Sequence, residues 1–132
     1  MKNTYVFPAY FFCDEDGVSV EFPDLPGCLP CAPDQEGAFR NAREALGLHL
    51  FGMEQDNEPI PEPTPVSQLR PEQGQLAVLI DVYMPAVRSQ IKKATMKKTL
   101  SVPVWLNMQA ERAGINFSQV LQEGLKQRLG VQ

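Results

Sequence analysis

Apolar residues in the first 83 positions follow a strand-like and then a helix-like spacing. Residues 5–12 are rich in aromatic side chains, and residues 18–22 alternate between apolar and polar, so both are predicted as strands. Asp34 is placed to cap a helix that ends near Gly52, and residues 76–83 are predicted as a buried strand. The apolar stripe of the helix comprises Ala38, Ala42, Ala45, Leu46, His49, Leu50 and Met53. This order predicts an α+β domain with a small sheet of about four strands and one long helix.

The segments between these elements have the composition of turns and loops. Residues 14–17 read Asp-Glu-Asp-Gly and predict a hairpin turn, and residues 23–27 turn the chain again. Residues 28–32 are predicted to add a short third strand. Residues 54–74 contain five prolines and four glutamates, which predicts an exposed loop. Residues 85–96 are predicted as a basic connector, for which a helix is one option, so the first domain spans residues 1–84.

The last third of the chain begins with a short strand pattern. Leu100 and Val102 alternate with Thr99 and Ser101, so one face of a strand at 97–102 is apolar and the other is polar. This strand has no hairpin partner in its own chain. It therefore needs the same strand of a second copy to pair with.

Two short helical patterns follow the strand. Pro103 suits the start of the first helix, and Gly114 stops it after Leu106, Ala110 and Ala113. Asn116 can cap the second helix, with Gln119 in the position of a capping-box partner. The apolar stripe of the second helix comprises Phe117, Val120, Leu121, Leu125 and Leu129.

This order of strand, proline, helix, glycine, polar cap and helix resembles the ribbon-helix-helix family, so residues 97–132 are predicted as a DNA-binding and dimerisation module. The resemblance implies that two chains pair their strands into a ribbon that enters the major groove of operator double-stranded DNA. It also implies that the start of the second helix holds a phosphate. We expect a homodimer through the ribbon, and pairs of dimers on repeated half-sites. The DNA-binding residues would be Lys97, Lys98, Thr99, Ser101, Asn116, Phe117 and Ser118.

Charge divides the chain into an acidic and a basic half. Residues 1–66 carry three basic and twelve acidic side chains, a net charge of −9, whereas residues 67–132 carry nine basic and four acidic ones, a net charge of +5. Five basic residues occur with no acid between them: Arg88, Lys92, Lys93, Lys97 and Lys98. This run supports phosphate contacts beside the ribbon. A solvated lysine-rich linker would explain the charge alone.

Composition limits the class of protein further. The chain is 43% hydrophobic, so a packed core is expected, and its three cysteines argue against a disulfide-stapled secreted scaffold. No apolar run approaches the length of a membrane span, and the amino terminus lacks the apolar core of a signal peptide. We therefore expect a cytoplasmic protein without membrane association.

Four segments of the first half together resemble HicB-type antitoxins. They are Phe-Pro-Ala at 7–9, the hairpin at 14–20, Phe-Pro-Asp-Leu-Pro-Gly-Cys at 22–28, and the helical stretch at 38–46. The resemblance implies a partial ribonuclease-H-like domain, followed here by the ribbon-helix-helix type of reader. Many members carry a threonine- and glycine-rich pattern after the third strand, where this chain has Cys31 and Pro33 and opens its helix at Asp34.

The resemblance also implies a function with two arms. The first domain would bind and occlude a HicA-type toxin that cleaves messenger RNA, and the second would repress the shared operon; no enzyme activity and no cofactor are expected. A toxin that binds RNA must be basic, so acidic side chains should attract it. The candidate toxin-binding residues are Asp14, Glu15, Asp16, Glu21 and Asp24.

Alternative functions use the same residues differently. A ligand-responsive repressor without a toxin would share the DNA-binding module. A nuclease would need carboxylates that converge on paired metal ions, but these acids cluster at one turn. Cys28 and Cys31 have the spacing of a redox or zinc half-site, and zinc could take Cys13, Cys28, Cys31 and His49. We favour structural roles, with Cys28 in the turn after the second strand, Cys31 as a small buried strand residue and His49 in the core of the helix.

Overall fold

The computed structural model describes residues 1–132, which form two compact units, Met1–Ala94 and Thr95–Gln132. The first unit contains four strands, two helices and one short 3-10 turn. They follow the chain as β1 (Thr4–Asp14), β2 (Gly17–Glu21), β3 (Cys31–Ala32), α1 (Gln35–Gln55), the 3-10 turn Val66–Gln68, β4 (Gln75–Tyr83) and α2 (Met84–Lys93). The α+β class is therefore confirmed.

The strands form one antiparallel sheet in the order β3-β2-β1-β4. The long strand β1 lies in the interior of the sheet, where Phe11 pairs with Val20 of β2 and Phe7 pairs with Ile80 of β4. The third strand is shorter than predicted. It begins only at Cys31, because the chain from 28 to 30 carries a single sheet-like bond, from the Val20 N–H to the Pro30 carbonyl at 2.9 Å.

One face of the sheet packs against α1 to form the core of the first unit. Alternate residues of a strand share a face, so every second side chain of β1 from Tyr5 to Phe11 is buried. Helix α1 contributes small and aliphatic residues at four-residue spacing. These are Ala38, Ala42, Leu46 and Leu50, each fully buried. The predicted apolar stripe of the helix is confirmed for these four positions, whereas Ala45, His49 and Met53 are half-buried.

Helix α1 begins as predicted but runs further than predicted. The Asp34 carboxylate accepts a hydrogen bond from the Gly37 N–H at 2.7 Å, so the predicted cap is confirmed. The expected end near Gly52 is wrong, because Gly52 lies within the helix and accepts from the Asp56 N–H at 3.0 Å. The three extra residues bring Glu54 into reach of α2.

Helix α2 occupies most of the segment expected to be a connector. Met84 is fully buried and its N–H donates to the Asn3 carbonyl at 2.7 Å. Gly47 of α1 lies where a Cβ atom would approach Val87 to 2.8 Å, so a side chain at position 47 would push the two helices apart. Residues 85–94 thus belong to the first unit.

Strand β4 is an edge strand, not the buried strand that its apolar run suggested. Only Ile80 and Val82 are buried, and Leu76, Leu79 and Tyr83 are 69%, 51% and 59% exposed. Leu79 and Tyr83 are exposed because they lie on the face opposite the buried row of β1, as the exposed Val6 of β1 does. β4 also ends the sheet and has a strand on one side only. An apolar run cannot by itself distinguish a central strand from an exposed edge.

The proline-rich loop between α1 and β4 is anchored to the first unit. The Thr64 N–H donates to Asp24 at 2.9 Å, and the Arg70 N–H donates to the Tyr10 hydroxyl at 3.0 Å. Leu69 is buried, although most of its neighbours are exposed as predicted. The loop therefore has fixed contacts with the turn after β2 and with the central strand.

The second unit contains two helices, α3 (Val104–Arg112) and α4 (Phe117–Leu129). Asn116 caps α4 by accepting from the Gln119 N–H at 3.1 Å, as predicted. The Gln119 side chain does not complete a capping box, because it donates to Glu123 at 3.1 Å instead. Residues 95–103 form neither helix nor strand in the single chain. None of the helices in either unit is long and apolar enough to cross a membrane.

Candidate functional site

The β1–β2 hairpin presents three consecutive acidic side chains to solvent. Asp14, Glu15 and Asp16 are exposed and take part in no salt bridge; the Asp14 carboxylate accepts from the Asp16 N–H at 2.8 Å. Gly17 closes the turn with a φ of 136°, and a Cβ atom there would lie 2.5 Å from the Ala32 carbonyl oxygen. The turn therefore requires glycine at this position and holds the acidic residues at one end of the sheet.

The other two candidate acids differ in what their carboxylates contact. Glu21, the last residue of β2, is exposed and has no ion-pair partner. Asp24 is half-buried, and its carboxylate accepts from both the N–H and the hydroxyl of Thr64. Asp24 thus anchors the proline-rich loop, and four of the five candidate acids remain free to meet a partner.

Glu21 borders a shallow cavity of about 280 Å³ on the sheet. Phe12 and Leu29 line the same cavity and are 38% and 67% exposed. A carboxylate beside exposed apolar surface suits a basic side chain whose alkyl stem packs while its charge pairs. Sequence reasoning missed Phe12 and Leu29, because a single exposed apolar residue gives no pattern.

Most acidic side chains of the first unit are not neutralised within the chain. The unit carries fourteen acidic and seven basic residues, a net charge of −7. Its only three ion pairs join Arg40 to Glu36, Arg43 to Asp81 and Arg88 to Glu54. The unit therefore presents a strongly negative potential to a basic partner.

Arg88 does not belong to the basic surface that the sequence suggested. Its guanidinium donates to both carboxylate oxygens of Glu54, at 3.0 and 2.6 Å, and to the Lys2 carbonyl at 2.9 Å. The Glu54 side chain is 4% exposed, and the hydrogen bond to Glu54 raises the pKa of Arg88 above its ordinary value. The run of free basic side chains thus begins at Lys92.

Four of the residues predicted to bind DNA lie together in the extended stretch of the second unit. Lys97, Lys98, Thr99 and Ser101 are all exposed, and none of their side chains has a hydrogen-bond partner in the chain. At the start of α4, the Asn116 side chain accepts a hydrogen bond from the Gln119 N–H. The N–H groups of the two residues between them have no acceptor. Those residues are Phe117 and Ser118.

The second unit buries almost none of its apolar side chains in the single chain. Exposure ranges from 40% at Leu121 to 83% at Met96. The exposed set comprises Met96, Leu100, Val102, Val104, Trp105, Leu106, Met108, Ile115, Phe117, Val120, Leu121, Leu125, Leu129 and Val131. Exposed apolar surface on this scale marks an interaction surface.

The cysteines and the histidine do not form a metal centre. No group of three or more His, Cys, Asp and Glu side chains is placed to hold a metal ion. Cys28 is buried, and burial raises the pKa of its thiol to about 11. The expectation that Cys31 is buried is wrong, because both Cys31 and Cys13 are exposed.

An acidic α+β unit with unpaired carboxylates, joined to a small basic two-helix unit with exposed apolar side chains, defines a two-part binding protein. A family model described as the HicB-like antitoxin of bacterial toxin-antitoxin systems matches residues 7–124. The chain belongs to this family.

One sequence relative and three solved structures are similar to this chain. An uncharacterised 14.9 kDa protein of Haemophilus phage HP1 is 33% identical over 81 residues, which cover 59% of this chain and 61% of that protein. A toxin-antitoxin complex from Streptococcus pneumoniae is similar in fold, with a TM-score of 0.62, 19% identity, and coverage of 95% of this chain and 99% of that chain. The antitoxin HicB of Burkholderia pseudomallei has a TM-score of 0.55 and 21% identity, with coverage of 92% and 96%.

A third solved structure matches a smaller share of this chain. It is a HicA3 and HicB3 toxin-antitoxin complex with a TM-score of 0.51 and 20% identity, in which the match covers 59% of this chain and 98% of that chain. At these identities the structural likenesses establish the fold.

Proposed function

We propose that the first unit binds and occludes a HicA-type toxin that cleaves messenger RNA, and that the second unit represses the toxin-antitoxin operon by binding operator DNA. The observation that carries this proposal is the division of charge between the two units. The first has a net charge of −7 and the second a net charge of +3. A basic RNA-binding toxin is attracted to an acidic surface, which the first unit has. DNA is attracted to a basic surface, which the second unit has.

The toxin arm rests on the hairpin acids and the cavity beside Glu21. Long-range attraction would speed the encounter, and the exposed apolar side chains of Phe12 and Leu29 would supply contact area. Asp24 contributes indirectly, by holding the proline-rich loop through Thr64.

The toxin arm is tested by neutralising the free acids together. The variant D14N/E15Q/D16N/E21Q should bind the toxin about tenfold more weakly at low salt, and the difference from the natural chain should shrink at high salt. Titration calorimetry with a purified HicA-type toxin gives both affinities. The control neutralises four other exposed acids, E58Q/E62Q/E72Q/D56N, with the same charge change. Equal weakening in both variants would show that net charge, and not this surface, attracts the toxin.

The DNA arm rests on the second unit. Two copies that pair their stretches at 97–102 would bury Leu100 and Val102 and turn Lys97, Thr99 and Ser101 outward on one face. The free N–H groups of Phe117 and Ser118 would then donate hydrogen bonds to a backbone phosphate. The proposed domain division is toxin-binding residues 1–84, a link at 85–96 whose first part is helix α2, and DNA-binding residues 97–132.

Single substitutions separate base reading from phosphate contact. T99A and S101A should reduce the preference for the operator over scrambled DNA, whereas K97A should weaken binding to both and lower the slope of log K against log salt by about 1. Fluorescence anisotropy at several salt concentrations measures both quantities. K126A, in the last turn of α4, serves as the control for charge. If all three variants bind the operator as the natural chain does, the ribbon assignment is wrong.

A further inference from the structure

The end of helix α2 carries two lysines that no group in the chain neutralises. Lys92 and Lys93 lie in the last turn of the helix, and both are exposed. Neither belongs to one of the three ion pairs, and neither side chain donates a hydrogen bond. The sequence has no acidic residue between Asp81 and Glu111. These two positive charges are therefore free to meet an anionic partner.

The structure places these lysines on a fixed helix and not on a flexible linker. The Ala94 N–H donates to the Gln90 and Ile91 carbonyls at 3.0 and 3.2 Å, so the last turn is formed. One turn earlier, Arg88 donates to the Glu54 carboxylate at 2.6 Å and holds α2 on the first unit. A charge on a fixed backbone loses less conformational entropy on binding than a charge on a mobile chain.

The apolar and basic residues of α2 lie on different sides of the helix. Met84, Val87 and Ile91 follow the three- and four-residue spacing of one helical face, and they are buried or half-buried. Lys93 comes nine positions after Met84. Nine residues make about 2.5 turns, so Lys93 lies opposite the apolar face, and Lys92 lies between the two sides. Helix α2 thus presents its basic end away from the core.

Chain length limits how far these lysines can lie from the proposed ribbon. Three residues, 94–96, separate Lys93 from Lys97. Their Cα atoms are at most about 14 Å apart, since each residue spans at most about 3.6 Å. This distance corresponds to about four base pairs of B-DNA at about 3.4 Å each. DNA that Lys97 contacts therefore also lies near the end of α2.

We propose that Lys92 and Lys93 contact DNA phosphates that flank the bases read by the ribbon, an inference that rests on the proposed binding of operator DNA by the second unit. Two antiparallel strands place residue 97 of each copy at opposite ends of the ribbon. The lysines of each copy then lie beyond those ends. Their contacts are to the DNA backbone, so they add affinity without reading sequence.

Charge favours DNA over the toxin as the partner of these lysines. They would repel a basic toxin, whereas DNA carries one negative charge per about 1.7 Å of helix axis. The first unit has a net charge of −7 and is joined to residue 97 by only two further residues after Ala94, so DNA tends to repel it. Two positive charges at the point of attachment offset this repulsion where it is strongest, because salt screens the more distant acids.

The first test measures how operator affinity of the full chain depends on salt. K92Q/K93Q should lower the slope of log K against log salt about twice as much as K97A, because each chain loses two phosphate contacts in place of one. The preference for the operator over scrambled DNA should not change. The control K126Q/R128Q removes two exposed charges from the last turn of α4 and should change the slope far less. An unchanged slope in K92Q/K93Q, or an equal change in the control, would overturn the proposal.

The second test varies the length of the DNA. One duplex ends at the outermost base pairs of the half-sites, and the other extends about five base pairs further on each side. The natural chain should bind the longer duplex about tenfold more tightly, whereas K92Q/K93Q should bind both about equally. K126Q/R128Q should distinguish the duplexes as the natural chain does. Equal binding of both duplexes by the natural chain would contradict contacts outside the half-sites.

The outcomes separate this proposal from the proposed function. Operator binding by the natural chain, with the same affinity, slope and duplex preference in K92Q/K93Q, would overturn the flanking contacts alone. A natural chain that does not bind the operator would overturn the DNA arm of the proposed function as well. Unchanged DNA binding with weaker toxin binding in K92Q/K93Q would assign these lysines to the toxin and overturn the proposal.

Urea unfolding is the control for an intact fold in these measurements. Both side chains are exposed and make no contact that stabilises the first unit, so the unfolding midpoint of K92Q/K93Q should stay close to that of the natural chain. A changed salt slope at an unchanged midpoint then reports a lost DNA contact. A changed slope that accompanies a large fall in the midpoint would make the lysines structural and overturn the proposal.

Discussion

Two nitrogen atoms of the Arg88 guanidinium donate to the Glu54 carboxylate. This ion pair holds α2 against the end of α1. The Arg88 and Glu54 side chains are 24% and 4% exposed, so the pair is largely shielded from solvent. Sequence reasoning placed Arg88 among the phosphate contacts, because the two residues are 34 positions apart and no local pattern joins them. Local spacing identifies a charge but not its partner.

Removal of the Arg88 side chain should therefore lower the stability of the fold. Arg88→Ala leaves the Glu54 carboxylate buried and unpaired, and we expect the free energy of unfolding to fall by about 3 kcal/mol in urea titrations. Arg40→Ala breaks an exposed pair with Glu36 and should change the free energy of unfolding by less than about 0.5 kcal/mol. Similar losses in the two variants would show that the Glu54 pair contributes no more than an exposed one.

The Cys28 thiol should react more slowly with thiol reagents than the thiols of Cys13 and Cys31. Its pKa of about 11 keeps it protonated at pH 8, and it is buried, whereas Cys13 and Cys31 are exposed. A thiol reagent at pH 8 should modify Cys13 and Cys31 promptly, and Cys28 only after a denaturant is added. Mass spectrometry of the digested protein locates the modified residues, and fast labelling of Cys28 would contradict its burial.

The same pKa difference makes stability depend on alkaline pH. Below pH 9 the Cys28 thiol is protonated in both the folded and the unfolded chain, so its contribution is constant. Above pH 9 the unfolded chain loses this proton first, because its thiol has the ordinary pKa of 9.0, and the free energy of unfolding should fall as pH rises toward 11. Cys28→Ala should show a shallower fall between pH 9 and 11. Identical slopes would contradict the raised pKa.

At the level of elements, helix α1 was predicted well and strand β4 poorly. Asp34 and the apolar stripe identified the start and the buried side of α1, since capping and periodicity are local properties of the sequence. The position of β4 at the edge depends on sheet order, which is set by contacts far apart in the chain. The acidic hairpin could also be predicted, because its residues are consecutive in the sequence. The hydrogen bonds between Thr64 and Asp24 could not, because the two residues are 40 positions apart and share no sequence pattern.

The Asp34 cap should contribute measurably to the stability of α1. Asp34→Ala leaves the Gly37 N–H without its acceptor, and the free energy of unfolding should fall by about 1 kcal/mol. Gln35→Ala, one position further on, keeps the cap and should have little effect. Thermal and urea unfolding, followed by circular dichroism, measure the stability of both variants. Equal stability of Asp34→Ala and the natural chain would show that the cap does not contribute.

At the level of the whole molecule, the single tryptophan reports on one unit only. Trp105 lies in α3 and is 63% exposed in the single chain. If two copies associate through the second unit, the emission maximum should move to shorter wavelength as the chain concentration rises, because the indole ring leaves water. Val102→Lys should abolish the shift and Leu79→Lys should preserve it. An emission maximum that does not depend on concentration would argue against association through the second unit.

If the second unit reads operator DNA as a dimer, as proposed, its exposed apolar side chains have a consequence for gene control. A reader that exists only as a pair is present, at low concentration, in proportion to the square of the number of chains. Halving the number of chains would then cut the occupancy of a half-site about fourfold, as mass action requires. A modest fall in the amount of this protein would thus cause a proportionally larger fall in the occupancy of the operator.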